Sequence, residues 1–289
     1  MIRTTLAHLH VAALSHAGMS GKNNEDRYAV SSFQLSNDDS RPALFAIIAD
    51  GIGGHRAGEV AAELAVNYIT MGVAESNGKK PVKILESAIH DASQAIASHS
   101  AGRDEEEGMG ATCACVWVIE NRLYTAYIGD SRIYLLRGKT IQRLTVDHTW
   151  VQEAYEKGII TAEQMRDHPN VHVIRRHLGG LKLPEVDFRL RIDDEESKEE
   201  SENNQGFHLE PGDTILMCSD GLTDLVWDDE MPKIIRTKRD MKTAAEALIS
   251  LANERGGHDN ITVVILSMPR LEETVKRKHG ILDWILGDE

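Results

Sequence analysis

The sequence predicts an α+β fold, on three observations. Strand-like and helix-like segments come in blocks instead of strict alternation, which favours antiparallel sheet covered by helices over a doubly wound fold. Leu44–Ala49, Thr214–Cys218 and Ile261–Leu266 are apolar runs of the kind that make buried strands. The 289 residues, 41% of them hydrophobic, carry no internal repeat and no second compositional regime, so one large core is expected over residues 1–268.

In chain order, Leu9–Ser15 reads as a strand, followed by the polar loop Gly18–Arg27, a short strand Tyr28–Phe33 and a turn at Leu35–Pro42. The Leu44–Ala49 strand leads into a helix from Arg56, with Val60, Ala61, Leu64, Ala65 and Tyr68 on one face. Pro81 opens a second helix whose apolar spacing runs through Ser98. Ala111–Ile119, Arg122–Ile128 and Arg132–Arg137 are three successive strands, and Thr140–Leu144 a fourth. Val146–Lys157 and Thr161–Arg166 read as helices, the second capped by its Thr. Phe188–Ile192 is a strand. Residues 193–205, DDEESKEESENNQ, contain no apolar side chain to offset ordering entropy, so a mobile acidic loop is expected. Helices over Asp228–Thr237 and Thr243–Asn253 precede the last strand, and residues 269–289 form an extension that could make an amphipathic helix.

The formal charge of −14 argues against a nucleic-acid backbone as partner. Cys113, Cys115 and Cys218 lie in apolar runs and read as buried free thiols, which suits a reducing cytoplasm. No run approaches the length needed to span a bilayer, and the N-terminus reads as a strand, not a signal peptide.

The stretch FAIIADGIGGHRAGE organises the chain. Asp50 sits where a buried strand ends, beside Gly51, Gly53 and Gly54, with a helix start close behind. A carboxylate there is costly without positive charge, and the strand has no Lys or Arg. Taken alone, Asp50 could simply cap the helix. Asp-Gly recurs, however, at Asp220-Gly221 after another apolar run, and Asp259-Asn260 precedes a third. Three acids at the edges of buried strands point to a convergent carboxylate cluster for a hard divalent cation.

Eight segments together resemble the metal-dependent serine/threonine protein phosphatases of the PPM, or protein phosphatase 2C, family in its bacterial form. They are NNEDRY (23–28), ADGIGGHRAGE (49–59), GMGATC (108–113), IGDSRIYLL (128–136), LTVDHT (144–149), HPNVHVIRRHLGG (168–180), LEPGDTILMCSDGLTD (209–224) and GGHDNITVVIL (256–266). The resemblance implies a four-layer α-β-β-α sandwich of two antiparallel sheets flanked by helices. It implies that Asp50 bridges two Mn2+ or Mg2+ ions, with the Gly51 carbonyl on one and Asp220 and Asp259 completing the other site. Asp130 with Asp220 would make a third, weaker site. Glu25 and Asp26 would hold metal-bound waters, and Asn260 would orient Asp259. Bridged cations make hydroxide available near neutral pH and neutralise phosphoryl charge, so attack on phosphoserine or phosphothreonine is direct. No Cys-x5-Arg motif supports a thiol mechanism.

His55 is the candidate general acid, and His172 is a second. Two departures stand out. Gly21 occupies the position where the family usually grips the substrate phosphate with Arg; Lys22, or an Arg such as Arg56, is expected to replace it in part. His172 stands where bacterial relatives commonly have Asn. The expected protein is a cytoplasmic monomer acting on phosphorylated proteins, kinases and their substrates among them. An enzyme specialised for one anti-anti-sigma-type partner, or a sensing pseudophosphatase, is the alternative; retention of Asp50, Asp130, Asp220 and Asp259 counts against the latter.

Overall fold

The computed structural model of the chain describes residues 1–53 and 56–270. Strands β1 (Ile2–Thr4), β3 (Arg27–Gln34), β4 (Pro42–Ala49), β7 (Cys113–Ile119), β8 (Arg122–Ile128) and β11 (Phe207–His208) form one sheet in the order β1-β3-β4-β7-β8-β11. A second sheet runs β10-β9-β12-β13-β2, built from β2 (His10–His16), β9 (Arg132–Arg137), β10 (Thr140–Arg143), β12 (Thr214–Cys218) and β13 (Ile261–Ser267). Every pairing in both is antiparallel. A small ribbon pairs β5 (Gly51–Ile52) with β6 (Gly110–Ala111).

Side-chain alternation explains the apolar runs. Along β4, Phe45 and Ile47 enter a core shared with helices α1 (Arg56–Glu75) and α2 (Pro81–Ser100), while Leu44, Ala46 and Ile48 enter a second core between the sheets. Along β12, Ile215 and Met217 face that middle core, whereas Leu216 and Cys218 meet helices α7 (Met231–Thr237) and α8 (Met241–Glu254) in a third. Both faces of each central strand are therefore covered, giving the helix–sheet–sheet–helix sandwich. Truncating a side chain such as Ile47, fully buried in the first core, would cost about 2–5 kcal/mol.

Several expectations need correction. Residues 193–205 are not a structureless loop: they contain helix α5 (Lys198–Asn203), started by a capping box between Ser197 and Glu200. Its anchors are polar. Ser201 is fully buried and accepts a bond from Leu190 N–H, Asn204 Nδ2 donates to Leu190 O, and Gln205 bonds the backbone of Thr125 and Phe188. Phe188–Ile192 forms no ladder, because its neighbourhood divides its backbone bonds among Tyr127, Ser201 and Leu144. The helix expected from Val146 begins only at Trp150 (α3, Trp150–Glu156), since Val146 N–H goes to Tyr127 Oη and His148 N–H to Gly129 O, leaving Thr149 as the cap. Helix α7 starts at Met231, with Pro232 in its first turn. A short α4 (Ala162–Met165) follows Thr161 as expected, and a one-turn α6 (Asp220–Thr223) follows β12. The expectations for His55, for the Arg56 side chain and for the extension beyond Arg270 lie outside the described residues.

Candidate active site

The strand registers bring the acids together. Arg27 pairs with Ala49, Ile48 with Ala114 and Cys113 with Ile128, so the start of β3 and the ends of β4 and β8 share one end of the first sheet. In the second, Cys218 pairs with both Arg132 and Val263, and Ile261 with His16. Asp130 lies in the crossing from β8 to β9, which joins that end of one sheet to the same end of the other. Asp26, Asp50, Asp130, Asp220 and Asp259 thus collect where the middle core opens.

Hydrogen bonds fix each position. Asp50 N–H donates to Thr112 Oγ1 (3.0 Å) and Thr112 N–H to Asp50 O (2.8 Å). Thr112 Oγ1 also meets Ser131 Oγ at 3.1 Å, which ties the Asp50 turn to the Asp130 turn. Ser219 Oγ donates to Asp26 Oδ2 at 2.7 Å and accepts from Thr262 N–H at 3.0 Å. Gly51 and Gly58 cross so closely that a Cβ on Gly51 would stand 2.1 Å from Gly58 O; one on Gly58 would stand 2.7 Å from Glu25 Oε2 and 2.9 Å from Gly51 O. This bare crossing leaves the Glu25 carboxylate beside the Gly51 carbonyl.

Asn260 contacts Asp259 through its backbone N–H, which donates to Asp259 Oδ1 (2.8 Å). The side chain accepts from Glu25 N–H (2.7 Å) and donates to Asn23 O and Ala17 O, so it shapes the Asn23–Asp26 loop.

Electrostatics show uncompensated negative charge. Burial raises the Asp50 carboxyl well above its ordinary value, and Asp26, Asp220, Asp130 and Asp259 raise it further. Asp220 is raised by burial and then by Asp130, Asp224, Asp259 and Asp26. Burial pushes Asp26 up to about 6 despite the Thr262 and Ser219 hydrogen bonds, and Asp130 up to about 7. Asp26 Oδ1, Asp130 Oδ1 and Asp220 Oδ1 are buried with no hydrogen-bond partner. Orphaned carboxylate oxygens in an all-oxygen cluster fit hard divalent cations. The cluster opens on a cleft of about 1140 Å³, lined by Asp130, Asp220, Asp224, Arg166, His172 and others.

Lys22 is exposed on the loop leading to Asp26, and Gly21 holds a left-handed φ of +75°. Thr112, Ser219 and Asp224 were not singled out by their chemistry in the sequence. All three lie inside the family-like motifs, and for Thr112 and Ser219 burial beside an acid was the missing signal.

A family model for protein phosphatase 2C matches residues 15–262. The chain is 32% identical over 262 residues to the serine/threonine phosphatase stp of Listeria monocytogenes serotype 4b (strain F2365), covering 89% of this chain and 95% of that protein. It resembles the crystal structure of the Mycobacterium tuberculosis serine/threonine phosphatase PstP/Ppp with a TM-score of 0.74 and 32% identity, over 91% of this chain and 99% of that one. The catalytic domain of PstP in complex with two manganese ions gives a TM-score of 0.71 at 32% identity, over 90% and 97% of the two chains.

Proposed function

The chain belongs to the protein phosphatase 2C family, and from that membership we propose that it hydrolyses phosphoserine and phosphothreonine in proteins, reversing serine/threonine kinase signalling. One observation carries the chemistry: five carboxylates from both sheets meet at one sandwich end, with buried unpartnered oxygens on Asp26, Asp130 and Asp220. The specialised single-partner and pseudophosphatase alternatives are not favoured, because the relatives are named as serine/threonine phosphatases.

The finer assignments are proposals. Asp50, the Gly51 carbonyl, Asp220 and Asp259 would hold two Mn2+ or Mg2+ ions, with Asp130 and Asp220 at a third. When bound, such ions supply a nucleophile at neutral pH and neutralise charge on the phosphoryl group. Glu25 and Asp26 accept hydrogen bonds from water and position it for attack. Asn260 keeps the Glu25 backbone in register through the bond to its N–H. His55 is proposed to give a proton to the leaving alkoxide, and Lys22 to attract the phosphate. The free, buried thiols Cys113, Cys115 and Cys218 support a reducing cytoplasm as compartment, and we read the protein as a monomer acting on kinases and their substrates. Among the described residues, no helix is long and apolar enough to cross a membrane.

The test is phosphate release from a phosphothreonine peptide with Mn2+, with EDTA, and with Asp220→Ala. Release that needs Mn2+ and falls by at least about 100-fold in the variant is expected. Equal release in EDTA would refute the metal mechanism.

A further inference from the structure

We propose, building on the phosphatase reading above, that the cleft beside the catalytic acids seats the substrate chain against the exposed ring of Trp227 and selects phosphopeptides that carry Lys or Arg a few residues from the phosphorylated side chain.

The cleft reaches well beyond the acids. Its lining runs from Asp130 and Asp220 past Trp227 to Tyr155 on α3 and Glu195 ahead of α5. At about 1140 Å³ it is at least as large as the pockets that enclose drug-sized ligands, so a phosphoryl group alone leaves most of it unfilled. Tyr155 is 45% exposed and Trp227 53%. Such rings are the usual anchors of binding surfaces.

Trp227 is held in advance. Arg166 lies 3.6 Å over its ring and donates to Asp224 O at 2.6 Å. Trp227 N–H donates to Glu230 Oε2 at 2.9 Å, and Arg255 clamps the same carboxylate. The ring therefore gives up little freedom when a ligand arrives.

Charge decides the ligand. Every Arg and Lys lining the cleft is already engaged. Arg132 and Arg143 face Asp147 at 2.7 and 3.6 Å, and Arg191 faces Asp194 at 3.4 Å. Arg189 pairs with Asp187, Lys198 with Glu185, and Arg166 with the Asp224 carbonyl. Glu156, Asp167 and Glu195 line the same cleft, are exposed, and make no ion pair among the described residues. None of these three belongs to the proposed ion-binding set, so cations at the centre leave their charge standing. A negative cleft with an aromatic wall suits an ammonium or guanidinium group. An acidic flank on the substrate meets repulsion there.

The spacing follows from the backbone. Asp224 N–H bonds Asp220 O and Val226 N–H bonds Leu222 O, so the course stays helical from Asp220 to Val226. At about 1.5 Å per residue, Trp227 lies about 10 Å along from Asp220. An extended peptide covers that distance in about three residues, which puts the selected Lys or Arg about two to four positions from the phosphorylated residue.

The experiment measures kcat/KM of the full chain with Mn2+ on matched phosphothreonine peptides. One carries only Ala around the phosphothreonine, one carries Lys at the second to fourth positions on either side, and one carries Glu there. We expect the Lys peptide to exceed the Glu peptide by at least about tenfold, mainly through KM, and the preference to shrink at high salt. Trp227→Ala should cut the Lys-to-Ala ratio at least about fivefold, with Trp227→Phe keeping most of it. Glu156→Gln combined with Asp167→Asn should also lower that ratio. A ratio taken within one variant cancels any loss of folded protein. Equal kcat/KM on all the peptides, a preference for the Glu peptide, or a Lys preference untouched in Trp227→Ala overturns the inference and leaves the phosphatase reading intact. Release neither from the peptides nor from para-nitrophenyl phosphate with Mn2+ defeats the phosphatase reading itself.

Discussion

Gly21 shows how one backbone angle limits which side chain a position can carry. At φ +75° a side chain is strained even though nothing stands within 4 Å of its would-be Cβ. Gly21→Arg is therefore expected to lose about 1–2 kcal/mol of stability without a clash, measured by denaturant unfolding. If Lys22 attracts the substrate phosphate as proposed, that position offers a less strained route. Lys22→Arg, adding a forked guanidinium, should lower KM several-fold, and Lys22→Ala should raise it, each with little change in kcat. Unchanged KM in both would remove Lys22 from substrate binding. Thr112 acts through other residues. Its hydroxyl accepts from Asp50 N–H and meets Ser131 Oγ, so Thr112→Val leaves a buried donor unpaired. Loss of about 1–3 kcal/mol in unfolding free energy is expected, together with weaker Mn2+ binding.

At the level of elements, the segment from 187 to 205 is secured by polar bonds. Gly129 N–H donates to His148 Nδ1 at 3.0 Å, so the ring proton sits on Nε2 and is donated to Asp187 Oδ2, also at 3.0 Å. Arg189 clasps the same carboxylate through Nε and an Nη. Burial would raise the Asp187 carboxyl, but bonds from His148 and Arg189 outweigh it and hold it well below the usual range. An acid depressed in the fold adds stability above its unfolded value and loses it as pH falls toward the folded one. Thermal stability should therefore fall on acidification below about pH 4, the ordinary carboxylate value. Asp187→Asn should flatten that limb and lower Tm at neutral pH; an unchanged acid limb would show that the cluster does not control it. Helix α5 depends equally on local chemistry, namely the Ser197–Glu200 box and the fully buried Ser201.

Over the whole molecule, two sheets aim their acidic ends at one cleft, and the fold holds like charges close together. A cation that binds only this folded arrangement stabilises it by mass action, about 2.7 kcal/mol at a hundred times Kd. For a chain of this size that is a rise of about 5–10 °C in Tm. Calorimetry with Mn2+ and then with EDTA should show that rise and its reversal. A Tm indifferent to both would mean that the carboxylates do not share an ion.

The sequence carried the central architecture, because strands covered on both faces must be apolar at every position. Leu44–Ala49, Thr214–Cys218 and Ile261–Leu266 were legible for that reason, and so were the acids at their ends. Motif order was enough to indicate the family. Local pattern failed where order comes from polar contacts: residues 193–205 lack apolar side chains yet fold through Ser197, Ser201, Asn204 and Gln205. It also could not reveal that the Asn260 amide serves Glu25 and Asn23, or that His172 lies beside Asp220 and Asp224. Such neighbours are far apart in the chain. Their meeting depends on strand register and on how one sheet faces the other, so only the tertiary structure decides it.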